Sequence, residues 1–362
     1  MKIKSLKTLN KSDRITSIDI FRGIAIISVV IFHFNHYLPF GYLGVDLFFV
    51  ISGLLVGGIL TRQNKTKGRI NYLKFFIQRA GKIWPSYYIF IFIGSILAIL
   101  FYSNTEFENQ IIPVWDLKRY LFFYQNYTGF PTHWSFDHVW SICVEEHFYL
   151  ILPLMFIFVR KFFNNKTVWL FVLTAGTIIL GVFFKYISLK YTNSHDTYSG
   201  THNRIDALAW GVLLNLLLVY YSYKIKQIKY SYIISIIGLL LFSSLIYFYI
   251  NTDSIIYQKV LFQSFVPFSF FLIILGVYYV DFSKLLVIRL IAYYSYNWYL
   301  WHPVFSIYIT DKFGNSFFSL SLYMFVTFIV AMFFTIIIEE PMLKYRSLLL
   351  NRLFPKKDKE IN

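Results

Sequence analysis

Long runs of apolar residues are the feature that most constrains this chain. A bilayer core of about 30 Å needs about 20 apolar residues per helix, and lipid satisfies no backbone polar group. Hydrophobic residues make up 57% of the 362 residues and charged residues only 14%, which excludes an ordinary soluble domain. We therefore predict an all-α fold, a polytopic transmembrane helical bundle of about ten helices. The predicted spans are 18–38, 43–60, 85–102, 139–159, 167–189, 204–221, 230–250, 256–280, 285–309 and 317–338.

Basic residues are distributed unevenly between the two sets of connections. The formal net charge of +16 would suggest nucleic acid in a soluble protein. With the N-terminus in the cytoplasm, however, the outer connections hold only Lys118, Arg119, Lys190 and Lys312. The other basic residues of the connections and ends then lie inside, where they meet anionic lipids. We expect cytoplasmic N- and C-termini and no nucleic-acid partner.

No repeat or linker divides the chain, so we predict a single membrane domain, 1–362. Its transmembrane core is 18–346, and 347–362 is a basic cytoplasmic tail. The single cysteine, Cys143, excludes an intrachain disulfide and cannot build a zinc site by itself. No metal site is predicted.

Ionisable side chains inside spans are the main functional signal, because each costs about 2.5 to 3.5 kcal/mol on insertion scales. Arg22 and His33 are eleven residues apart, which places them on one helix face about 16 Å apart along the axis. Arg22 then lies near the cytoplasm and His33 in the outer half. The same topology places further groups in that half: Asp46, Glu145, Arg204, Asp206 and His302.

The two layers differ in chemistry. The inner layer is cationic, with Arg22, Arg79 and Lys82, and suits phosphate groups. The outer layer combines imidazole and carboxylate, which suits general-base work on a hydroxyl. An acyl-CoA could enter from the cytoplasm and bring its acyl group to His33. Plainer alternatives are an interhelical hydrogen bond for His33, a snorkelling Arg22, and ordinary positive-inside roles for Arg79 and Lys82.

Seven strings in order resemble the acyltransferase 3 family, membrane enzymes that O-acylate bacterial surface glycans. IDIFRGIAIISVVIFHF carries Arg22, ten residues and His33, and GYLGVDLFFVISGLL contains Asp46. FIQRAGKIWPSYY resembles the family's Arg-x-x-Arg followed by Ile-x-Pro, with Lys82 in place of the second arginine. Lysine keeps the charge but loses bidentate phosphate geometry. The other four strings are WSICVEEHFYLILP around Glu145, RIDALAWG around Arg204, SYNWYLWHPV around His302, and IIIEEPMLKYR around Glu340.

The resemblance implies a function and a place in the cell. Arg22 and His33 would be essential, and the donor would be acetyl-CoA or another acyl-CoA, a co-substrate and not a tightly bound cofactor. The acceptor would be a glycan or lipid-linked glycan, such as lipopolysaccharide O-antigen, capsule or exopolysaccharide. The expected location is the bacterial cytoplasmic (inner) membrane. We expect a member that acts without an appended hydrolase-like domain.

The predicted mechanism makes His33 the general base, with Glu145 or Asp46 orienting its imidazole. Arg22, Arg79 and Lys82 would hold donor phosphate. An alternative is that His33 takes the acyl group first. Arg204, Asp206, His302 and Glu340 are further functional candidates. Rival hypotheses are a transporter or flippase for a small molecule or lipid-linked glycan, since polar residues at two depths also suit alternating access, and a scaffolding membrane protein.

Overall fold

A computed structural model describes residues 15–105, 107–108, 111–127, 133–192, 197–228 and 230–355. These residues form helices and connections without a strand, which confirms the all-α prediction. Eleven helices have 14 or more residues: α1 Thr16–Phe32, α2 Gly44–Lys67, α3 Tyr72–Tyr102, α4 Trp140–Phe162, α5 Thr167–Tyr191, α6 Thr201–Tyr220, α7 Tyr232–Ile250, α8 Phe262–Val277, α9 Leu286–Trp301, α10 Phe317–Phe334 and α11 Glu340–Leu353. The first 14 residues and the end of the predicted tail, 356–362, lie outside the described residues.

Eight helical segments in the described ranges are long and apolar enough to cross a bilayer. The chain is therefore a multi-pass membrane protein. The other two predicted spans, 18–38 and 285–309, correspond to shorter helices, α1 with 17 residues and α9 with 16.

Both short helices end for local reasons. After α1, Asn35 and His36 have φ of +48° and +56°, a left-handed conformation that stops a helix. After α9, Pro303 offers no backbone N–H, and the chain continues as the 3₁₀ turn His302–Phe305 and the short helix Ser306–Phe313. The first predicted span is therefore shorter than hydropathy suggested, and the second is divided by a 3₁₀ turn.

Glycines let α2 and α6 pack backbone to backbone. A Cβ on Gly53 would lie 1.9 Å from the carbonyl oxygen of Leu208, and one on Gly211 would lie 2.0 Å from that of Val50. Small residues at helix crossings are the usual way in which membrane helices approach closely. This contact fixes the position of Asp46 on α2 relative to Arg204 on α6.

A π-helical turn, Thr335–Glu339, joins α10 to α11. Pro341 lacks the N–H that would bond to the carbonyl of Ile337 in a regular helix, which favours this widened turn. The turn buries Glu339, which is 5% exposed. It therefore brings a carboxylate into the bundle just before the chain leaves it.

Apolar side chains cover the outside of the bundle. Ile179 on α5 is 67% exposed and Leu240 on α7 is 65% exposed. In water such surfaces would drive aggregation, whereas in a bilayer they face lipid. Both helices therefore form part of the lipid-facing shell around the cavities described below.

Candidate functional site

Three cations line a cavity of about 150 Å³ that we call the arginine cavity. Arg22 comes from α1, and Arg79 and Lys82 come from one face of α3. Glu145 on α4, Ser52 on α2 and Ser295 on α9 share the wall. The structure thus brings together the three residues that the sequence predicted for donor binding.

Arg79 is tied to Glu145 through Tyr149. Its Nη2 donates to the Tyr149 hydroxyl at 2.7 Å, and its guanidinium lies 4.4 Å from the centre of the tyrosine ring. The hydroxyl in turn donates to Oε2 of Glu145 at 2.5 Å. Stacking and a hydrogen bond together orient the planar guanidinium. Tyr149 was not singled out in the sequence because tyrosine is abundant throughout this chain.

Arg22 and Lys82, both in the wall of this cavity, each have a polar partner. Nη2 of Arg22 donates to the Ser295 hydroxyl at 3.0 Å. Lys82 forms an ion pair with Glu339, whose other oxygen accepts from the amide of Asn297 at 2.8 Å. Glu339 is a site residue that the sequence reasoning missed in favour of its neighbour, Glu340.

Glu340 lies away from the walls of both main cavities. Its Oε1 accepts from the Tyr293 hydroxyl at 2.5 Å, which joins the start of α11 to α9. The contact indicates a packing role for this candidate.

His33 lines a second and larger cavity of about 450 Å³, which we call the histidine cavity. Nδ1 of His33 lies 2.9 Å from the carbonyl oxygen of Val29. A carbonyl can only accept, so Nδ1 carries the proton and Nε2 keeps the lone pair of the neutral ring. Nε2 is the atom that a general base needs.

Three imidazoles cluster at this cavity. The ring centre of His302 lies 4.8 Å from that of His33 and 5.3 Å from that of His138. His302 is fully buried, and its Nδ1 bonds to the carbonyls of Trp298 and Tyr299 at 3.0 and 2.8 Å. The predicted candidate His302 therefore packs directly against His33, and His138 joins them from the turn before α4.

The two carboxylates predicted to orient His33 have other partners in the structure. Asp46 is ion-paired with Arg204, and Glu145 is bonded to Tyr149 in the wall of the arginine cavity. Helix packing turns both towards cations, and their roles beside His33 stay predictions. The carboxylate in the wall of the histidine cavity is Asp137. The sequence reasoning missed it because it lies in a connection, where a charge carries no insertion cost.

A buried charge cluster stands behind the histidine cavity. Arg204 pairs with Asp46, and Asp206 pairs with Lys185, which also donates to Ser264 at 3.1 Å. The Arg204 guanidinium lies 4.7 Å from the ring centre of Tyr198, and that ring lines the cavity. Arg204 and Asp206 therefore support the wall from behind. Lys185 was missed although it falls within a predicted span.

Aromatic rings dominate the rest of the histidine cavity. Tyr42, Trp140 and Tyr249 form its walls together with the polar side chains of Gln258 and Gln263. Aromatic walls with a few polar groups are typical of sites for organic ligands. Within the described residues, no group of three or more His, Cys, Asp or Glu side chains is arranged to hold a metal ion.

The acyltransferase domain family model matches residues 15–340 of the chain. The candidate O-acetyltransferase SACOL0978 of Staphylococcus aureus strain COL is 28% identical over 267 residues, which are 70% of this chain and 43% of that protein. O-acetyltransferase OatA of S. aureus strain NCTC 8325 / PS 47 is 28% identical over 322 residues, 83% of this chain and 53% of that protein. The chain thus spans about half the length of these relatives. No solved structure matches it.

Proposed function

The chain belongs to the acyltransferase domain family, and from that premise we propose that it moves an acyl group from acyl-CoA to a hydroxyl of a cell-surface glycan. The observation that carries the proposal is the pair of adjoining cavities. One is lined by three cations and the other by imidazoles together with one lysine, Lys259. Val45 and Tyr299 line both. A phosphate-bearing donor and a hydroxyl-bearing acceptor each have a matching environment.

The arginine cavity suits the donor. It is a cavity of about 150 Å³ whose wall holds three cations, the groups that bind phosphate. The pantetheine arm would enter, with phosphates held by Arg22, Arg79 and Lys82. Acetyl is the acyl group that the names of the relatives favour.

The histidine cavity suits the acceptor. Its volume is three times that of the arginine cavity, and its aromatic walls offer flat faces against which sugar rings can lie. Asp137, Gln258 and Gln263 supply hydrogen-bonding partners for hydroxyls. A glycan or lipid-linked glycan, as in O-antigen, capsule or exopolysaccharide, meets these demands.

The reaction we propose is direct transfer. Nε2 of His33 takes the proton of the acceptor hydroxyl, whose oxygen attacks the thioester carbonyl. The new C–O bond forms, the C–S bond breaks, and the proton passes from His33 to the departing CoA sulfur. The bond from Nδ1 to Val29 keeps Nε2 unprotonated at the start. The enzyme would lie in the bacterial cytoplasmic membrane with its arginine cavity towards the cytoplasm.

The test uses the full chain in nanodiscs with radiolabelled acetyl-CoA and a candidate glycan. We expect His33→Ala to reduce label transfer by at least about 100-fold, the lower end of general-base effects. His147→Ala is the matched control, because His147 is half-buried, bonds to Thr201 at 2.7 Å and lines neither cavity. Equal transfer by His33→Ala and wild type would contradict the role of His33. Passage of unmodified glycan across the bilayer without ester formation would favour a transporter.

A further inference from the structure

Two residues line both cavities. Within the described residues, Val45 and Tyr299 are the lining residues that the arginine and histidine cavities share. Val45 stands at the start of α2 and is 5% exposed, and Tyr299 lies near the end of α9 and is 7% exposed. The two cavities therefore adjoin at these two side chains.

The ring of Tyr299 is fixed in place. Its hydroxyl donates to the carbonyl of His138 at 2.7 Å and accepts from the hydroxyl of Ser141, 2.6 Å away. The ring also packs at 5.2 Å from the imidazole of His138 and 6.2 Å from the ring of Phe48, centre to centre. Swinging the ring aside would break both hydrogen bonds inside the bundle, so Tyr299 is a rigid boundary.

We propose that Val45 and Tyr299 form a constriction that selects the acyl group by its width at the carbon next to the carbonyl. The inference rests on the proposed function, in which CoA sulfur lies on the arginine side and the acceptor oxygen beside His33. During transfer the carbonyl carbon is bonded first to the CoA sulfur and then to the acceptor oxygen. The carbonyl carbon and the carbon next to it must therefore lie at the boundary between the two cavities.

Branching at that neighbouring carbon is what the constriction would exclude. At that carbon an acetyl group bears no further carbon and a propionyl group bears one, whereas an isobutyryl group bears two methyl groups side by side. An extra carbon that widens the group inside a tight apolar constriction changes rates by about 10- to 200-fold, whereas the extra carbon of propionyl continues along the chain and lies beyond the constriction. We expect the wild type to use acetyl- and propionyl-CoA at similar rates and isobutyryl-CoA at least about tenfold more slowly.

The experiment measures initial rates with acetyl-, propionyl- and isobutyryl-CoA on one acceptor, using the full chain in nanodiscs. Val45→Ala and Tyr299→Leu widen the constriction and should each raise the isobutyryl-to-acetyl rate ratio by about tenfold. Tyr299→Phe keeps the ring but removes both hydrogen bonds, so it should raise the ratio less.

Matched controls remove similar groups elsewhere. Val56→Ala shortens a fully buried valine of α2 that lines neither cavity, and Tyr323→Phe removes the hydroxyl of a fully buried tyrosine on α10. Both should leave the rate ratio at the wild-type value. A ratio is insensitive to the amount of folded protein, so a merely structural effect would not move it.

The outcomes separate this inference from the proposed function. Normal acetyl transfer by the wild type, with a ratio unchanged in both Val45→Ala and Tyr299→Leu, would overturn the constriction and leave the function intact. If Tyr299→Leu does not fold, the milder Val45→Ala decides alone. A wild type that transfers no acetyl group from acetyl-CoA would overturn both.

Discussion

The orientation and protonation of single residues at this site depend on their hydrogen-bond partners. The backbone carbonyl of Val29 takes the orienting role for His33 that the sequence had assigned to a carboxylate. A neutral acceptor fixes the tautomer as a carboxylate would, although it adds less stabilisation to an imidazolium. Asp137 in the same cavity wall supplies a negative charge nearby.

The contacts of Arg79 predict that lysine, which has the same charge, cannot replace it fully. It donates to the Tyr149 hydroxyl while its plane stacks on the same ring, and lysine can do only one of these at a time. We expect Arg79→Lys to raise the KM for acetyl-CoA about tenfold, which corresponds to ~1.4 kcal/mol. Acetyl transfer measured against donor concentration checks this.

Arg119→Lys is the matched control for Arg79→Lys. Arg119 pairs with Asp116 outside both cavities, and lysine preserves that charge pair. The KM of Arg119→Lys for acetyl-CoA should equal that of the wild type. An unchanged KM in Arg79→Lys would remove Arg79 from donor binding.

Helices meet in this bundle through small residues and buried charges. Two ion pairs, Arg204 with Asp46 and Lys185 with Asp206, join α2, α5 and α6, and Ser264 extends the contact to α8. Buried pairs of this kind add little net stability, but removing one partner leaves a charge without compensation. They specify how the four helices fit together behind the histidine cavity.

The crossing of α2 and α6 gives a prediction at the scale of elements. Gly53→Ala would push a methyl group into the carbonyl of Leu208, so the helices must separate. We expect the free energy of unfolding to fall by about 2 to 3 kcal/mol, because a side chain that clashes with backbone atoms cannot easily be accommodated. The measurement is the Tm of the purified protein in detergent.

Gly176→Ala is the matched control for Gly53→Ala. A Cβ at Gly176, within α5, would meet nothing within 4 Å. Alanine favours a helix over glycine by up to about 1 kcal/mol, so Tm should stay or rise. Equal Tm values for the two variants would contradict the close contact of α2 with α6.

The uneven distribution of basic residues among the connections predicts how the whole molecule is oriented in the membrane. The exposed positions Lys65 and Lys118 are predicted to lie on opposite sides. We expect Lys65→Cys to react with a membrane-impermeant thiol reagent only from the cytoplasmic side, and Lys118→Cys only from the outside. Labelling is read on intact cells and on inverted vesicles.

The native chain suits this labelling experiment. Its single cysteine, Cys143, is fully buried, so the unsubstituted protein gives the background. Labelling of Lys65→Cys from outside would invert the proposed topology. The arginine cavity would then face away from the cytoplasmic supply of acyl-CoA.

The amino-acid sequence by itself determined the features that depend on local pattern. Apolar run length predicts membrane helices, and the structure confirms the all-α fold. The spacing of Arg22 and His33 predicts one helix face, and motifs in order resemble the family that the chain matches. These features need only hydropathy, helical periodicity and residue order.

Only the tertiary structure decided which residues meet. It placed Glu145 in the wall of the arginine cavity, joined Asp46 to Arg204, and placed Asp137 and His138 in the wall of the cavity that His33 lines. It also made Val45 and Tyr299, which are 254 positions apart, two sides of one boundary. The reason is physical: the period of a helix fixes its own faces, but its rotation against a neighbour depends on packing contacts such as Gly53 on Leu208, which no local pattern encodes.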